Sequence, residues 1–233
     1  MKYPCEVKAA TFLSRPNRFI AQVMVDGCEH TVHVKNTGRC RELLIPGVTV
    51  YLAKSDNPAR KTGYDLIAVE KIREGNAPLL INMDSQVVND VTEEWLKKGL
   101  LFSKGATVRR EVTWGNSRFD FYIEDGARRA FLEVKGVTLE QNGIARFPDA
   151  PTERGIKHLR ELVACMQQGY EAYVLFVIQM KEIQCFSPND AMHLAFGNTL
   201  REAVKQGVHA LAFDCVVSPN RIEIDQKIEM DLF

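Results

Sequence analysis

Two opposite charges lie inside an otherwise apolar run near the middle of the chain. Glu133 and Lys135 are separated by one residue within residues 129–137, a run that is typical of a buried strand. Side chains at positions i and i+2 of a strand point to the same face of the sheet. Because a buried charge is costly unless it is paired or binds a metal, the chain must bring compensating groups to this face.

A third charged residue, Asp120, lies on the preceding strand-like run, residues 118–123. The turn residues Glu124-Asp125-Gly126 predict a hairpin that folds this run against the next one. Two carboxylates and the Lys135 amine then meet at one edge of a sheet, which suits a magnesium ion and phosphodiester chemistry. The alternative interpretation is a solvated Glu133–Lys135 pair on an exposed face.

Composition is that of an ordinary folded protein. The 233 residues are enough for two modest domains or one large domain. Hydrophobic residues make up 45% of the chain and charged residues 26%, which is usual for a globular protein. No apolar run approaches the roughly 18 residues that span a bilayer, and no signal-peptide core follows Met1. We therefore expect a cytoplasmic protein with no membrane partner.

The six cysteines are scattered along the chain without a Cys-x-x-Cys pair or zinc-finger spacing to histidine. In a chain without a signal peptide, this pattern favours buried free thiols over disulfides or a zinc site. They are Cys5, Cys28, Cys40, Cys165, Cys185 and Cys215.

The net charge is zero, which by itself does not indicate a nucleic-acid partner. Its distribution is slightly uneven. Residues 1–82 hold 12 Lys and Arg against 8 Asp and Glu, a net charge of +4, and the remaining residues carry the opposite net charge. Basic residues are therefore in modest excess in the first part of the chain.

The first 80 residues are predicted to be all-β. Turn residues separate five short apolar runs, at residues 7–13, 19–25, 31–34, 48–53 and 65–72. Residues 38–44 predict one short helix after the third run. This order fits an oligonucleotide-binding (OB) barrel, and another small barrel fits the pattern nearly as well. A boundary at residues 74–78 gives two expected domains, a nucleic-acid-binding barrel at 1–80 and a second domain at 81–233.

The period of apolar residues changes after residue 84. The expected order there is helix, three strands, helix, strand, helix, strand. Asp84 or Ser85 is the expected cap of the first helix, and Thr152 that of the second helix, which runs to about residue 168. The apolar stripe of the second helix is Ile156, Leu159, Val163 and Met166, and its charged residues fall off that stripe.

Element order and residue placement agree with a known nuclease core. Asp120 falls on the second strand and Glu133-Val134-Lys135 on the third, and this arrangement resembles the PD-(D/E)xK restriction-endonuclease-like superfamily. The fold class expected for the whole chain is therefore mixed α/β, with an OB-like barrel followed by a central mixed sheet flanked by helices.

Loop motifs over residues 10–217 give a more specific resemblance. In combination they resemble the sugar fermentation stimulation protein A family. The motifs are Asn36-Thr37-Gly38, Pro46-Gly47, Ser55-Asp56-Asn57-Pro58 with Arg60-Lys61, Gly115-Asn116-Ser117-Arg118, Val137-Thr138-Leu139, Phe147-Pro148-Asp149-Ala150, and Thr152-Glu153-Arg154-Gly155 with Lys157-His158-Leu159.

This resemblance implies an OB-like domain joined to a nuclease-like domain. It also implies non-specific DNA binding and a link to the regulation of sugar (maltose) utilisation. The sequence departs from the family pattern in one place, since Val88 precedes Asn89 where many members have Pro-Asn. The register of the first helix is therefore open, and either Glu93 or Glu94 is a candidate to support the site.

The expected chemistry is hydrolysis of a phosphodiester bond. Asp120 and Glu133 are the candidate carboxylate ligands of Mg²⁺ or Mn²⁺, and the superfamily resemblance implies that the Val134 carbonyl completes the shell. Lys135 is the candidate to orient water or to stabilise the developing negative charge. The competing interpretation is an inert ion-pair network of Asp120, Glu133 and Lys135.

Candidate phosphate contacts lie in two regions. In the second domain, the start of the second helix offers free N–H groups beside charged residues, although a capped surface helix with i,i+4 pairs explains them equally. In the barrel, loop cations contact phosphates or form only a solvated rim. The predicted nucleic-acid-binding residues are Arg15, Arg18, Arg39, Arg60, Lys61, Arg118, Arg154, Lys157 and His158, with Asn116 and Asp149 in support.

Three classes of function remain open from the sequence. They are a metal-dependent nuclease, a non-catalytic DNA-binding regulator, and a small-ligand or protein-interaction module. The expected partner is DNA, single- or double-stranded, and a homodimer is compatible with the sequence.

Overall fold

The computed structural model describes residues 1–36 and 38–233, so Thr37 of the Asn36-Thr37-Gly38 motif lies outside the described residues. The first half is a β-barrel sheet with strand order β3-β2-β1-β4-β5-β6. Its strands are β1 (Val7–Asn17), β2 (Ile20–Val25), β3 (Cys28–Val34), β4 (Thr49–Lys54), β5 (Tyr64–Lys71) and β6 (Leu79–Asn82).

Parallel pairing between β3 and β5 closes the barrel, with His33 opposite Asp65 and Val34 opposite Leu66. Alternate residues of the strands, such as Val32 and Val34 on β3, fill its interior. The predicted five-stranded OB-like barrel is confirmed. Strand β6 pairs with β5 and carries the barrel sheet to Asn82, so residue 80 falls inside a strand.

The helix predicted at residues 38–44 is wrong. The segment consists of turns, in which the Leu43 and Leu44 N–H groups both donate to the Cys40 carbonyl. Cys40 has a φ of 45°, a left-handed conformation that an α-helix cannot continue. Buried Leu43 and Leu44 instead anchor the turn to the barrel core.

The second half contains three helices, a six-stranded sheet of order β15-β14-β12-β9-β8-β7 and a small sheet of order β10-β11-β13-β16. In chain order the elements are α1 (Val87–Lys97), β7 (Thr107–Trp114), β8 (Ser117–Asp125), β9 (Arg128–Val137), β10 (Leu139–Gln141), β11 (Ile144–Phe147), α2 (Glu153–Gln167), β12 (Glu171–Ile178), β13 (Cys185–Pro188), α3 (Asp190–Lys205), β14 (His209–Ser218), β15 (Arg221–Lys227) and β16 (Glu229–Met230).

Strand β9 lies in the middle of the large sheet and separates two layers of core. On one face Phe131 packs with Ile156 and Leu159 of α2, and on the other Leu132 packs with Val91 of α1. Because side chains alternate along a strand, Glu133 shares the α2 face with Phe131. The mixed α/β class is confirmed, with helices on both faces.

The two helix starts differ in their capping. The Thr152 hydroxyl accepts the Gly155 N–H at 3.0 Å, as predicted for the cap of α2. Helix α1 is capped at neither Asp84 nor Ser85, because its N-cap residue is Gln86, which makes no side-chain capping bond. Asp84 still contributes there, because its Oδ1 accepts the Gln86 N–H at 2.9 Å.

A buried polar network joins the barrel to the second domain. Asp84 Oδ2 accepts from Lys35 Nζ at 2.7 Å and from the Tyr3 hydroxyl at 3.3 Å. The Gln179 side chain donates to the Asn82 side chain and the Asp84 carbonyl. A backbone hydrogen bond also joins the two domains, since the Asn82 N–H donates to Gln179 O at 3.0 Å.

All six cysteines are free thiols, as predicted, but only three of them, Cys40, Cys165 and Cys215, are buried, whereas Cys28 is exposed. Burial raises the pKa of Cys40 and of Cys165 to about 12, so both stay protonated in neutral solution. In the described part of the chain, no helix combines the length and the apolar character needed to cross a membrane.

Replacing Asp84 with Ala should destabilise the fold by about 3 kcal/mol, because it leaves the Lys35 ammonium without its buried partner. Asp225→Ala is the matched control. It removes an exposed partner of Lys181, which keeps Asp214 at 2.7 Å, and should cost less than about 1 kcal/mol. Urea unfolding followed by circular dichroism measures both changes. Equal losses in the two variants would contradict the importance of the buried network.

Candidate functional site

The β8–β9 hairpin opens where the charged residues lie. Backbone pairing runs from Asp125–Arg128 to Phe121–Leu132 and then stops. Just beyond that point, Asp120 Oδ2 accepts the Val134 N–H at 2.7 Å, so a side chain takes the place of a backbone partner. The predicted hairpin is confirmed, and Asp120 is fixed beside the Glu133-Val134-Lys135 triplet.

Glu133 is 3% exposed, although it carries a carboxylate. Its Oε1 contacts Lys135 Nζ at 2.6 Å and also the Nδ1 atom of His158. Its Oε2 is buried and has no hydrogen-bond partner in the described part of the chain. An orphaned buried carboxylate oxygen costs free energy, and Glu133 Oε2 is therefore free to accept a further partner.

The two acids have opposite electrostatic environments. Burial raises the pKa of Asp120, and the neighbouring Glu133 charge adds to this effect beyond what the Val134 and Asn89 hydrogen bonds offset. Burial also acts to raise the pKa of Glu133, but the contacts with His158 and Lys135 outweigh it and leave that pKa below its ordinary value. Without a bound cation, negative charge therefore concentrates on Glu133.

Each of the helices beside β9 supplies one polar contact to the acids. From α1, the Asn89 side chain donates to Asp120 Oδ1 at 2.9 Å. Glu93, the predicted support from this helix, instead pairs with Lys97 and Arg110. Glu94 pairs with the chain's amino terminus at 2.6 Å.

The α2 contact comes from His158, which is 4% exposed and touches Glu133. The prediction that His158 lies on the charged outer face of the helix is wrong, because its ring lies beneath α2 near Phe119. The available signal was the i,i+4 spacing from His158 to Leu162, a fully buried residue of the same face. No role was predicted for Asn89, whose signal was its place in the family's helix-start pattern.

Within residues 1–36 and 38–233, no group of three His, Cys, Asp or Glu side chains is placed to hold a metal. A cation here would have the carboxylates of Asp120 and Glu133 and nearby backbone oxygen. Magnesium is bound in proteins by one or two carboxylates while it keeps several waters. This donor set therefore fits a magnesium-type ion and does not fit a ligand-rich zinc centre.

A groove of about 680 Å³ lies along the start of α2, next to His158. We call it the α2 groove. It brings together five predicted residues, Asn116, Arg118, Arg154, Lys157 and His158. All of them except His158 are exposed.

The α2-groove residues already have protein partners. Lys157 donates to the Asn116 carbonyl at 2.5 Å, Arg154 donates to His158 Nε2 at 3.3 Å, and Arg118 pairs with Glu111. Most of these contacts are exposed and weak, so a phosphate can replace them.

A second hollow of about 690 Å³ lies on the barrel and is called here the barrel cavity. Arg15, Arg18 and Arg39 line it, together with Arg41. Arg15 donates to four backbone carbonyls, of Arg18, Asn36, Gly38 and Arg39, and therefore ties the loops together. Arg18 lies over the exposed Phe19 ring at 4.8 Å, so its cation faces solvent together with an aromatic surface.

Three other predicted residues lie outside both hollows. Arg60 forms two hydrogen bonds to Asp65, and this pairing raises its pKa. Lys61 is exposed on the same β4–β5 loop. The Asp149 carboxylate packs against Gly38 of the barrel, where a side chain at position 38 would collide with it.

The fold and its site define a two-domain protein, a closed OB barrel followed by a sheet-and-helix domain with an acid pair at the open end of a hairpin. Family comparisons divide the chain in the same way. The SfsA N-terminal OB domain matches residues 13–76, and the sugar fermentation stimulation protein RE domain matches residues 86–221. The chain belongs to the sugar fermentation stimulation protein (SfsA) family.

Whole-length relatives agree with this assignment. The sugar fermentation stimulation protein homolog of Desulfitobacterium hafniense is 58% identical over 232 residues, covering 100% of this chain and 99% of the relative. The homolog of Ruminiclostridium cellulolyticum is 53% identical, with full coverage of both chains. The solved structure of Pyrococcus furiosus SfsA in complex with Ca²⁺ is 27% identical, covers 99% of each chain and has a TM-score of 0.87.

Adding a methyl group at Gly136, directly after Lys135, should destabilise the protein by about 1–3 kcal/mol. A Cβ there would lie 2.6 Å from Gln179 Oε1 and 3.0 Å from Val88 Cγ1, and both neighbours are packed. Gly63→Ala is the control, because nothing lies within 4 Å of its Cβ position. Thermal melting compares the two variants. A Gly136→Ala protein as stable as the Gly63→Ala protein would show that this contact is not tight.

Proposed function

We propose that this protein is a metal-dependent nuclease that hydrolyses phosphodiester bonds in DNA. One observation carries the proposal. Asp120, Glu133 and Lys135 converge at the open end of the β8–β9 hairpin, and Glu133 Oε2 is buried there without a partner in the described chain. This arrangement resembles the PD-(D/E)xK nucleases in which the same residue types act on phosphodiesters.

The carboxylates of Asp120 and Glu133, with the Val134 carbonyl, would hold Mg²⁺ or Mn²⁺. When bound, such an ion polarises a phosphate and acidifies a water molecule. The solved Pyrococcus relative is described as a complex with Ca²⁺. Calcium is a hard cation that takes oxygen ligands, as magnesium does, and this supports a divalent-ion site in the family.

The chain's own residues orient the acids and supply positive charge. Val134 N–H and Asn89 fix both oxygens of Asp120. His158 and Lys135 hold Glu133 Oε1 and keep the carboxylate ionised. The Lys135 ammonium, beside Glu133, would stabilise the negative charge that develops on a phosphate bound at the acids.

The α2 groove is the natural place for the DNA backbone beside this site. Arg118, Arg154 and Lys157 supply exposed cations at the groove, and His158 connects its floor to Glu133. Lys and Arg side chains neutralise phosphates without regard to sequence, which supports DNA binding without sequence specificity.

Glu133→Gln and Lys135→Ala should each reduce Mg²⁺- or Mn²⁺-dependent DNA cleavage at least about 100-fold, because the first removes a charged metal ligand and the second removes the cation that stabilises the transition state. Asp120→Asn should do the same. Gel assays on labelled single-stranded, duplex and branched DNA measure the cleavage, and EDTA should abolish it.

Glu111→Gln is the control for these substitutions, since Glu111 is an exposed residue of β7 that pairs with Arg118. It should cleave at nearly the wild-type rate. Cleavage that survives in the Glu133→Gln and Lys135→Ala proteins would refute the proposed site and point to a contaminating nuclease.

A second candidate function is a non-catalytic DNA-binding protein that regulates sugar (maltose) utilisation genes. The barrel cavity favours it, because Arg18, Arg39 and Arg41 are exposed around one hollow of an OB barrel. OB barrels bind single strands through basic grooves and aromatic stacking, and Phe19 is 45% exposed beside Arg18.

Arg39→Ala should weaken DNA binding at every sequence and lower the slope of log affinity against log salt by about one. Lys227→Ala, which removes an exposed cation at the far end of β15, should leave that slope unchanged. Fluorescence anisotropy between roughly 50 and 200 mM salt gives the slope. A wild-type affinity independent of salt would exclude both DNA-binding functions.

A further inference from the structure

Three loop motifs with no role in the proposed nuclease site meet in the fold. They are the loop after β3 with Asn36, the segment 137–139 at the end of β9, and the segment 147–150 before α2. They enclose a space of about 90 Å³, which we call the interdomain cavity, lined by Asn36, Ser85, Thr138, Arg146, Asp149 and Gln179 among others. This volume has room for more than one water molecule, since one water needs a cavity of about 10–15 Å³.

The interdomain cavity adjoins the acid pair. Gly136, Val137 and Thr138 line it and directly follow Lys135 along the chain. A strand rises about 3.3 Å per residue, so Thr138 lies within about 10 Å of Lys135 along the backbone. A group held in the cavity is therefore close enough to belong to a substrate whose phosphodiester bond lies at the acids.

Arg146 is the cation that lines the interdomain cavity. Within residues 1–36 and 38–233, its Nε atom is buried and has no hydrogen-bond partner. A partly buried unpaired cation is costly. The planar fork of arginine donors matches the oxygens of a phosphate, so the unused donors indicate an anionic ligand.

Neutral groups around Arg146 complete the cavity. Asn36 uses Oδ1 to accept the Gly38 N–H at 2.8 Å, which leaves its NH₂ group as a donor. The Thr138 hydroxyl is a second polar group on the wall. Gln179 is a structural wall, because its NH₂ group already donates to Asn82 and Asp84. Asp149 also lines the cavity, and its carboxylate packs against Gly38 of the barrel loop.

We propose that the interdomain cavity binds the terminal phosphate monoester of a DNA strand, so that the enzyme acts near a phosphorylated strand end. The inference rests on the proposed nuclease function. A space of about 90 Å³ walled by both domains accepts a phosphate group, but it has no room for a strand that continues beyond it. A phosphate monoester can stand at the 5′ end or at the 3′ end of a DNA strand. The experiment below determines which of the two ends binds.

The test measures binding in EDTA, so that it does not depend on cleavage. Three internally labelled single-stranded oligonucleotides of one sequence carry a 5′-phosphate, a 3′-phosphate or hydroxyl groups at both ends. One phosphorylated strand should bind the wild-type protein about tenfold more tightly than the hydroxyl strand, and inorganic phosphate should remove the difference.

Arg146→Gln should lose this discrimination, whereas Arg109→Gln should keep it, because Arg109 is an exposed arginine of β7 paired with Glu124. Thr138→Val is a second variant in case Arg146→Gln fails to fold, and it should lose part of the discrimination. Equal wild-type affinity for the three strands, or unchanged discrimination in the folded variants, overturns the inference. If the protein discriminates between strand ends but cuts no DNA, the phosphate site is supported and the nuclease function is refuted.

Discussion

A carboxylate buried in the centre of a sheet is the constraint on which the site depends. Glu133 is 3% exposed, yet its charged form is favoured because Lys135 and His158 both contact Oε1. A buried ion is tolerated only with such partners. One partner comes from β9 itself and the other from α2, while the remaining oxygen, Oε2, is buried without a hydrogen-bond partner in the described chain.

The features that the sequence predicted well depend on local patterns, namely alternation along a strand, turn residues and a helix cap. Alternation placed Glu133 and Lys135 on one face, turn residues predicted the β8–β9 hairpin, and Thr152 predicted the start of α2. The barrel followed from strands separated by turns. The helix predicted at 38–44 was wrong because one left-handed residue, Cys40, is enough to interrupt a helix of two turns, and periodicity does not reveal backbone conformation.

The remaining features depend on contacts between distant segments. Asn89 reaches Asp120 across 31 positions and His158 reaches Glu133 across 25, and no local pattern specifies either contact. The small sheet of β10, β11, β13 and β16 was not predicted, because strands of two to four residues are too short to show an alternating pattern. The roles assigned to the metal and phosphate contacts stay predictions that rest on these placements.

The hydrogen bonds at Gln179 fix the barrel to the second domain. The Asn82 N–H of the barrel donates to Gln179 O, and the Gln179 N–H donates to Val137 O at the end of β9. Backbone hydrogen bonds thus run from the barrel sheet through Gln179 to the end of β9, the strand that carries Glu133 and Lys135. These bonds hold the two domains at one spacing, which limits the size of any ligand that contacts both of them.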